Sequence, residues 1–137
     1  AGWLWSQTYF RERLYLQMGL KSTEDVIRFT QNYFLQNDAN NLLAMLRTWQ
    51  LGDISANPQC GGDIEQALKS ITCRAIVMPC DTDLYFRVAD NEQEVQHMPN
   101  AEVRPIRSDF GHGAGFLASP ADTAFIDNAI VELLSSS

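Results

Sequence analysis

Basic side chains are few in this sequence of 137 residues, with 10 Lys and Arg against 17 Asp and Glu and a formal net charge of −7. Binding to phosphate backbones or to anionic lipid depends on clustered Lys and Arg, which this composition does not supply. We therefore expect neither nucleic acid nor a membrane surface among the partners of the protein.

Long apolar runs are also missing. Stretches such as residues 75–78 are far shorter than the roughly 20 residues that cross a bilayer, and no basic segment followed by an apolar one opens the chain. The hydrophobic fraction of 45% and the charged fraction of 20% are those of one ordinary globular domain. The composition predicts a cytoplasmic protein.

The sequence contains only three cysteines, which is an odd number. Cys60, Cys73 and Cys80 occur in a chain too long to need disulfide staples, and no CxxC or HxxxH pair has the spacing of metal ligands. We expect reduced thiols and no metal. Cys80 precedes two aspartates, whose charge raises a thiol pKa, so it is a poor nucleophile. No cofactor is expected either, because the glycine-rich residues 111–115 lack the third glycine of a dinucleotide loop.

The first third of the chain has the apolar periodicity of helices. One helix is predicted over residues 9–18, and a second follows Ser22, which begins a capping box. Asp38 or Asn37 can cap a third, and Gly52 past its end suits a left-handed stop residue.

The second part of the chain predicts a parallel sheet. The apolar, β-branched run over residues 73–79 is typical of a strand buried on both faces, and residues 101–106 form a second strand after a helix over 90–98. Ser119 then caps a last amphipathic helix. Two strands leave both sheet edges open, so we expect the chain to be the end of a larger sheet.

Two of the three tryptophans, Trp3 and Trp5, stand within the first five residues. Aromatic side chains bury large areas where they can. The segment either folds onto the protein's own core or belongs to a partner surface. We expect a partner fragment or a second copy of the chain to cover both rings.

Chemistry is expected in the loops at the carboxyl ends of the two strands. The first loop carries Asp81 and Asp83, and the second carries His112 between two glycines. On neighbouring strands, a carboxylate and an imidazole lie within reach, as an orienting acid and a general base do in nucleophilic catalysis. A histidine that merely sits among turn residues is the alternative for His112. His97 is expected only to compensate charge at a helix end.

Several segments together resemble one family. They are Asp-Ala-Asn-Asn-Leu-Leu at 38–43, Leu-Gly-Asp-Ile-Ser at 51–55, Val-Met-Pro-Cys-Asp-Thr-Asp-Leu-Tyr-Phe at 77–86, Met-Pro-Asn-Ala at 98–101 and Gly-His at 111–112. In this order they resemble the C-terminal part of homoserine O-acetyltransferase-like proteins of the α/β-hydrolase superfamily. The resemblance implies an α/β fold with an incomplete sheet. A helical lid would span residues 1–57, and the β-α-β-loop-α end of the hydrolase core would span 58–137.

The resemblance also implies a Ser-Asp-His triad in that chain order. Asp83 matches the acid of the family's Asp-Leu-x-Phe motif, and His112 matches the base of its Gly-His motif. Asp81 then shapes its loop by bonding its own backbone. The Gly-x-Ser-x-Gly nucleophile elbow is absent from the sequence. We expect the serine to lie upstream of Ala1 and the chain to be inactive alone.

The activity that the resemblance implies is transfer of an acetyl group from acetyl-CoA, as a substrate, to a hydroxyl acceptor. Transferases of the family follow the histidine with an aspartate that helps hold the amino-acid acceptor, whereas this sequence has Gly113. An ester or amide hydrolase is therefore the alternative, and a non-catalytic chain that oligomerises through its helices is another. The expected partners are a small-molecule substrate, the N-terminal part of the same enzyme or a second copy, and a homodimer formed through the helical segment.

Overall fold

The computed structural model describes residues 2–135. In chain order the elements are α1 (Gln7–Arg11), α2 (Thr23–Leu35), α3 (Ala39–Leu51), α4 (Ile64–Lys69), β1 (Ala75–Val77), α5 (Val88–Val95), β2 (Ala101–Val103) and α6 (Pro120–Ser135), with 3₁₀ turns at Leu14–Met18 and Gly111–Phe116. This order of helices followed by β-α-β, loop and helix confirms the predicted α/β class. No helix within the described range has both the length and the apolar character needed to cross a membrane.

Side-chain caps set the starts of the two long helices that precede the sheet. The Ser22 hydroxyl accepts from the backbone N–H of Asp25 at 3.1 Å, and the Asp38 carboxylate accepts from those of Asn40 and Asn41. These N–H groups have no acceptor within their own helix, which is why a short polar side chain is placed there. Of the two residues that could cap α3, Asp38 is the one that does.

The helix predicted over residues 9–18 is wrong as a continuous element. It breaks at Arg13, whose φ of 54° is left-handed, so that α1 is followed by a separate 3₁₀ turn. Side chains six residues apart on a continuous helix point about 120° away from each other. The break instead lets Tyr9 and Tyr15 both reach the core, where their ring centroids are 6.0 Å apart.

The left-handed stop predicted at Gly52 is also wrong. Its φ is −64°, and the chain leaves α3 in an extended conformation. The backbone N–H of Gly52 still bonds the carbonyl of Trp49 at 3.2 Å, so the helix ends on a tightened last turn and needs no left-handed residue.

The two strands pair in parallel, with Ala75 opposite Ala101 and Val77 opposite Val103. An isolated bridge between Cys80 and Ile106 continues the pairing past the ends of both strands. The strands are only half-buried, whereas the apolar run predicts burial on both faces. Among residues 2–135, the main helical contacts of the strands are those of α5 with β2 and of α6 with β1.

The core lies where the first helices meet the carboxyl ends of the strands. Tyr9 is fully buried, stacks on Trp5 with ring centroids 4.4 Å apart, and meets Tyr15 and Phe110 edge-on. The partner surface expected at both early tryptophans is wrong for Trp5, which is 5% exposed in the protein's own core, while Trp3 is 66% exposed.

Apolar side chains on α2 and α3 are left uncovered by the described residues. The exposed set includes Ile27, Phe34, Leu35, Leu43, Met45, Leu46, Trp49 and Leu51. Several large apolar side chains exposed on two consecutive helices are typical of a surface that contacts another part of a protein. The division into a lid over residues 1–57 and a core part over 58–137, and the homodimer through the helical segment, stay predictions.

Replacing Tyr9 by alanine is expected to lower the free energy of unfolding by about 3–5 kcal/mol, because a large, fully buried ring at the centre of the core is lost. Chemical denaturation followed by circular dichroism measures the change. Tyr33, which is 65% exposed on α2, is the matched control, and Tyr33→Ala is expected to cost less than about 1 kcal/mol. Equal losses in the two variants would contradict this placement of the core.

Candidate active site

Parallel pairing brings the loops after β1 and β2 side by side, as the sequence predicts. The Thr82 hydroxyl on the first loop donates to the backbone carbonyl of Ser108 at 2.7 Å and accepts from the backbone N–H of Gly111 at 3.1 Å. One hydroxyl thus bonds the second loop at two points, which sets the distance between the loops at the place where the titratable residues lie.

Asp83 and His112 face each other across this junction. Oδ2 of Asp83 lies 2.9 Å from Nδ1 of His112, and Oδ1 accepts from the backbone N–H of Tyr85 at 2.7 Å. Asp83 is 8% exposed, and the His112 side chain is 21% exposed. Because a carboxylate only accepts, Nδ1 carries the proton in this pair, and Nε2 is the ring nitrogen that can act as a base.

Three aromatic rings surround the imidazole. The ring centroids of Tyr85, Phe86 and Phe116 lie 5.0, 5.5 and 5.3 Å from that of His112. Trp49 of α3 reaches Phe86 at 6.4 Å and so links the helical segment to the site. A cavity of about 340 Å³ adjoins the pair, lined by Val77, Met78, Pro79, Cys80, Asp83, Phe86, Asn91, His112, Gly115 and Phe116. Apolar surroundings strengthen the interaction of a carboxylate with an imidazolium.

Asp81 shapes the site, but not in the way that the sequence predicts. Its carboxylate accepts from the backbone N–H of Ser108 at 3.2 Å and pairs with Arg107 at 3.2 Å. The expected bond to its own backbone is wrong, because the backbone donor that reaches this carboxylate belongs to Ser108 on the other loop. Asp81 therefore joins the loops, and Asp83 alone faces the imidazole.

Cys80 has the environment of a structural thiol. It is 4% exposed, and its Sγ lies 3.3 Å from the backbone carbonyl of Ser108. Burial raises the pKa of this thiol, with a smaller contribution from the charges of Asp81 and Asp83. Loss of hydration is thus a larger cause of the raised pKa than the two aspartates that the sequence places beside the thiol.

The other histidine singled out in the sequence, His97, makes its contact elsewhere in the fold. His97 follows the end of α5, and its Nδ1 is 3.7 Å from the Glu65 carboxylate on α4. Among residues 2–135, no three His, Cys, Asp or Glu side chains converge as metal ligands would.

Sequence reasoning missed the support that residues 4–6 give to the histidine loop. The backbone carbonyl of Leu4 accepts from the N–H of His112 at 3.0 Å, and the Ser6 hydroxyl donates to the carbonyl of Asp109. Ser6 also caps α1 by accepting from the N–H of Tyr9 at 2.9 Å. The unusual placing of two early tryptophans was the one signal, and it did not indicate what they contact.

Trp5 lies directly against the residue after the histidine. A Cβ added to Gly113 would stand 2.3 Å from Cζ3 of the Trp5 ring, closer than side-chain carbons come to their neighbours. With Trp5 where it is, the position holds only glycine.

The fold is part of an α/β-hydrolase fold. The structure superposes on the acetyl esterase MekB with a TM-score of 0.88 at 38% identity. It superposes on an acetylester hydrolase from Corynebacterium glutamicum with a TM-score of 0.89 at 32% identity. Each match covers 96% of this chain and 38% of the other chain. No protein-family model matches.

The sequence agrees with this class. It is 38% identical over 133 residues to the ethyl acetate hydrolase of Pseudomonas veronii, covering 96% of this chain and 38% of that protein. It is 28% identical over 123 residues to the homoserine O-acetyltransferase of Clavibacter michiganensis subsp. michiganensis, covering 86% of this chain and 30% of that protein. The chain is related to the acetyl esterases and homoserine O-acetyltransferases of the α/β-hydrolase superfamily, as its motifs predict. It spans less than half the length of these relatives.

Alkylation of the folded protein by iodoacetamide near pH 8 should modify Cys73 at least about tenfold faster than Cys80. Cys73 is exposed, whereas Cys80 is buried and so is shielded from the reagent. Burial also raises the pKa of the Cys80 thiol, so that less of it is present as the reactive thiolate. Peptide mass spectrometry over a time course measures both rates. The denatured protein, in which the two rates should converge, is the control, and similar rates in the folded protein would disprove the prediction.

Proposed function

We propose that this chain supplies the acid and the base of a Ser-Asp-His triad in an enzyme that hydrolyses short acyl esters, acetyl esters above all. The observation that carries the proposal is the 2.9 Å contact between the buried Asp83 carboxylate and Nδ1 of His112. Support comes from the ethyl acetate hydrolase and the acetylester hydrolase that match 96% of the chain. The nucleophilic serine would come from a part of the enzyme outside this sequence.

In the proposed reaction, Nε2 of His112 takes the proton of the serine hydroxyl as its oxygen attacks the ester carbonyl. The imidazolium then returns this proton to the oxygen of the leaving alcohol, and the acyl group stays on the serine. A water molecule attacks the acyl-serine, and His112 takes its proton and passes it back to the serine as the carboxylic acid leaves. In each half of the reaction, Nε2 of His112 therefore acts first as the base and then, in its protonated form, as the acid.

Asp83 serves both halves without exchanging a proton. Its hydrogen bond to Nδ1 holds the imidazole with Nε2 turned outward, and its negative charge stabilises the imidazolium that forms in each half. The backbone N–H of Tyr85 holds the second carboxylate oxygen, so the carboxylate does not rotate away from the ring. The aromatic rings around His112 exclude water on several sides, which makes this charge more effective.

Transfer of an acetyl group from acetyl-CoA to a hydroxyl acceptor is the second candidate, supported by the similarity to homoserine O-acetyltransferases. The geometry at Gly113 favours water as the acceptor. An acceptor-binding aspartate at that position, as the family's transferases have, would overlap the Trp5 ring. The greater identity to the ester hydrolases points the same way.

In the enzyme that joins this chain to its serine, His112→Ala is expected to lower kcat for a short acetyl ester by about 10⁴-fold or more. The reason is that both proton transfers lose their carrier. His97→Ala is the matched control and should keep kcat within about twofold, because His97 lies at the end of α5. The measurement is steady-state ester hydrolysis by variants of equal thermal stability.

The same kinetic measurement on variants of Asp83 and Asp81 distinguishes the roles of the two aspartates. Asp83→Asn should lower kcat by about 10³- to 10⁴-fold, because an amide no longer favours the required tautomer of His112. Asp81→Asn should act mainly on stability, since Asp81 bonds Ser108 and Arg107. Normal turnover in His112→Ala, or a larger kcat loss in Asp81→Asn than in Asp83→Asn, would overturn the proposal.

The acceptor is tested by competition. With ethyl acetate or acetyl-CoA as the donor and homoserine present, we expect release of acetate from the ester and no homoserine-dependent consumption of acetyl-CoA. Acetate and O-acetylhomoserine are both quantified by mass spectrometry. Acetyl-CoA consumption that depends on homoserine and exceeds ester hydrolysis would replace the hydrolase by the transferase.

A further inference from the structure

We propose that residues 4–6 are a positioning element for His112, here called the Leu4–Ser6 brace, and that Trp5 acts through it on the rate of ester hydrolysis. The inference rests on the proposed function and adds a role for residues that the reaction itself does not use. The brace stands more than 100 residues from the histidine in sequence, and none of its side chains touches the imidazole nitrogens.

The brace holds the histidine loop by its backbone at two points. The Leu4 carbonyl accepts from the N–H of His112 itself at 3.0 Å, and the Ser6 hydroxyl donates to the carbonyl of Asp109. Ser6 is 4% exposed and is also the cap of α1. The loop is therefore fixed to a helix end as well as to the loop after β1.

Glycine on both sides of His112 makes this approach feasible. Gly111 has a φ of +62°, and a Cβ there would stand 2.8 Å from the backbone nitrogen of Ser6. At Gly113 a Cβ would stand 2.3 Å from Cζ3 and 3.0 Å from Cε3 and Cη2 of Trp5. Side chains at these two positions would occupy the space that the brace fills, so the glycines admit the brace.

Trp5 is held rigidly in this position. It is 5% exposed and stacks on Tyr9 with an interplanar angle of 12°. Its indole Nε1 is buried with no acceptor among residues 2–135, an arrangement that costs stability. A phenylalanine would avoid that cost, so the outer ring over Gly113 is the feature that distinguishes the tryptophan here.

The brace and Asp83 hold His112 from different directions. Leu4 fixes the backbone N–H, Trp5 blocks movement of the next residue, and Asp83 fixes Nδ1 of the ring. The position of Nε2 toward a serine follows from these constraints together. A displacement of about 1 Å at a reacting atom can cost roughly 100-fold in rate, which is why a remote contact matters.

The test uses Trp5→Phe and Gly113→Ala in the enzyme that contains the serine, with Trp3→Phe as the matched control. Trp5→Phe keeps a ring on Tyr9 and removes the outer indole carbons. Trp5→Phe and Gly113→Ala should each lower kcat by about 10- to 100-fold, with KM within about twofold of the parent enzyme. The pH profile of kcat/KM should shift, because the His112 imidazole moves relative to Asp83. Trp3, which is 66% exposed, should tolerate the change.

The double variant separates positioning from general damage. Phenylalanine at position 5 vacates the space that a methyl at position 113 needs, so Gly113→Ala should cost less in the Trp5→Phe background than alone. A readout independent of turnover is the downfield proton signal of the Nδ1–H···Asp83 hydrogen bond, assigned by its loss in His112→Ala. It should move in both single variants and stay in place in Trp3→Phe.

Variants that stay folded, with unchanged kcat, pH profile and proton signal, would overturn the brace. So would a Gly113→Ala loss of the same size in both backgrounds, since the conflict would then not be with Trp5. If His112→Ala keeps normal turnover, the proposed function fails instead. The proton signal then decides the brace alone, with movement in Trp5→Phe supporting it and no movement refuting it.

Discussion

The parallel pairing of β1 with β2 is the constraint on which the rest of this structure depends. Parallel strands end at the same edge of a sheet, so their following loops must meet there. The bridge between Cys80 and Ile106 carries this alignment beyond the strands, and the Thr82 hydroxyl completes it. Asp83 and His112, 29 residues apart in sequence, come within hydrogen-bond distance as a result.

The core and the candidate site occupy the same region of the molecule. The buried cluster of Trp5, Tyr9, Tyr15, Val26, Cys80, Ile106, Phe110 and Ala114 lies around the loops and the first helices, while the strands themselves are half-buried. Burial that stabilises the fold therefore also fixes the loop that carries His112. Most apolar side chains of α2 and α3 lie outside this cluster and are exposed. The chain spans less than half the length of its relatives.

Local patterns predicted the elements whose causes are local. Ser22 and Asp38 cap helices because a short polar side chain bonds N–H groups two or three residues away. The apolar run at β1 and the motifs around Asp83 and His112 are similarly contained in short segments. The break at Arg13 could not be predicted in this way. It brings Tyr9 and Tyr15 into one core, and the apolar periodicity within residues 9–18 does not indicate that these two rings meet.

The glycines around His112 show why the remaining part could not be predicted. A glycine in a loop has two physical meanings, conformational freedom or the close approach of another backbone, and the local sequence is the same for both. Here the approaching chain is residues 4–6, which fill the space that side chains at 111 and 113 would need. The loop is consequently restrained by glycine rather than loosened by it. In the proposed reaction, a base that is restrained before the substrate arrives loses less entropy in reaching the transition state. For that reaction, the same two glycines that look flexible in sequence favour preorganisation of the imidazole.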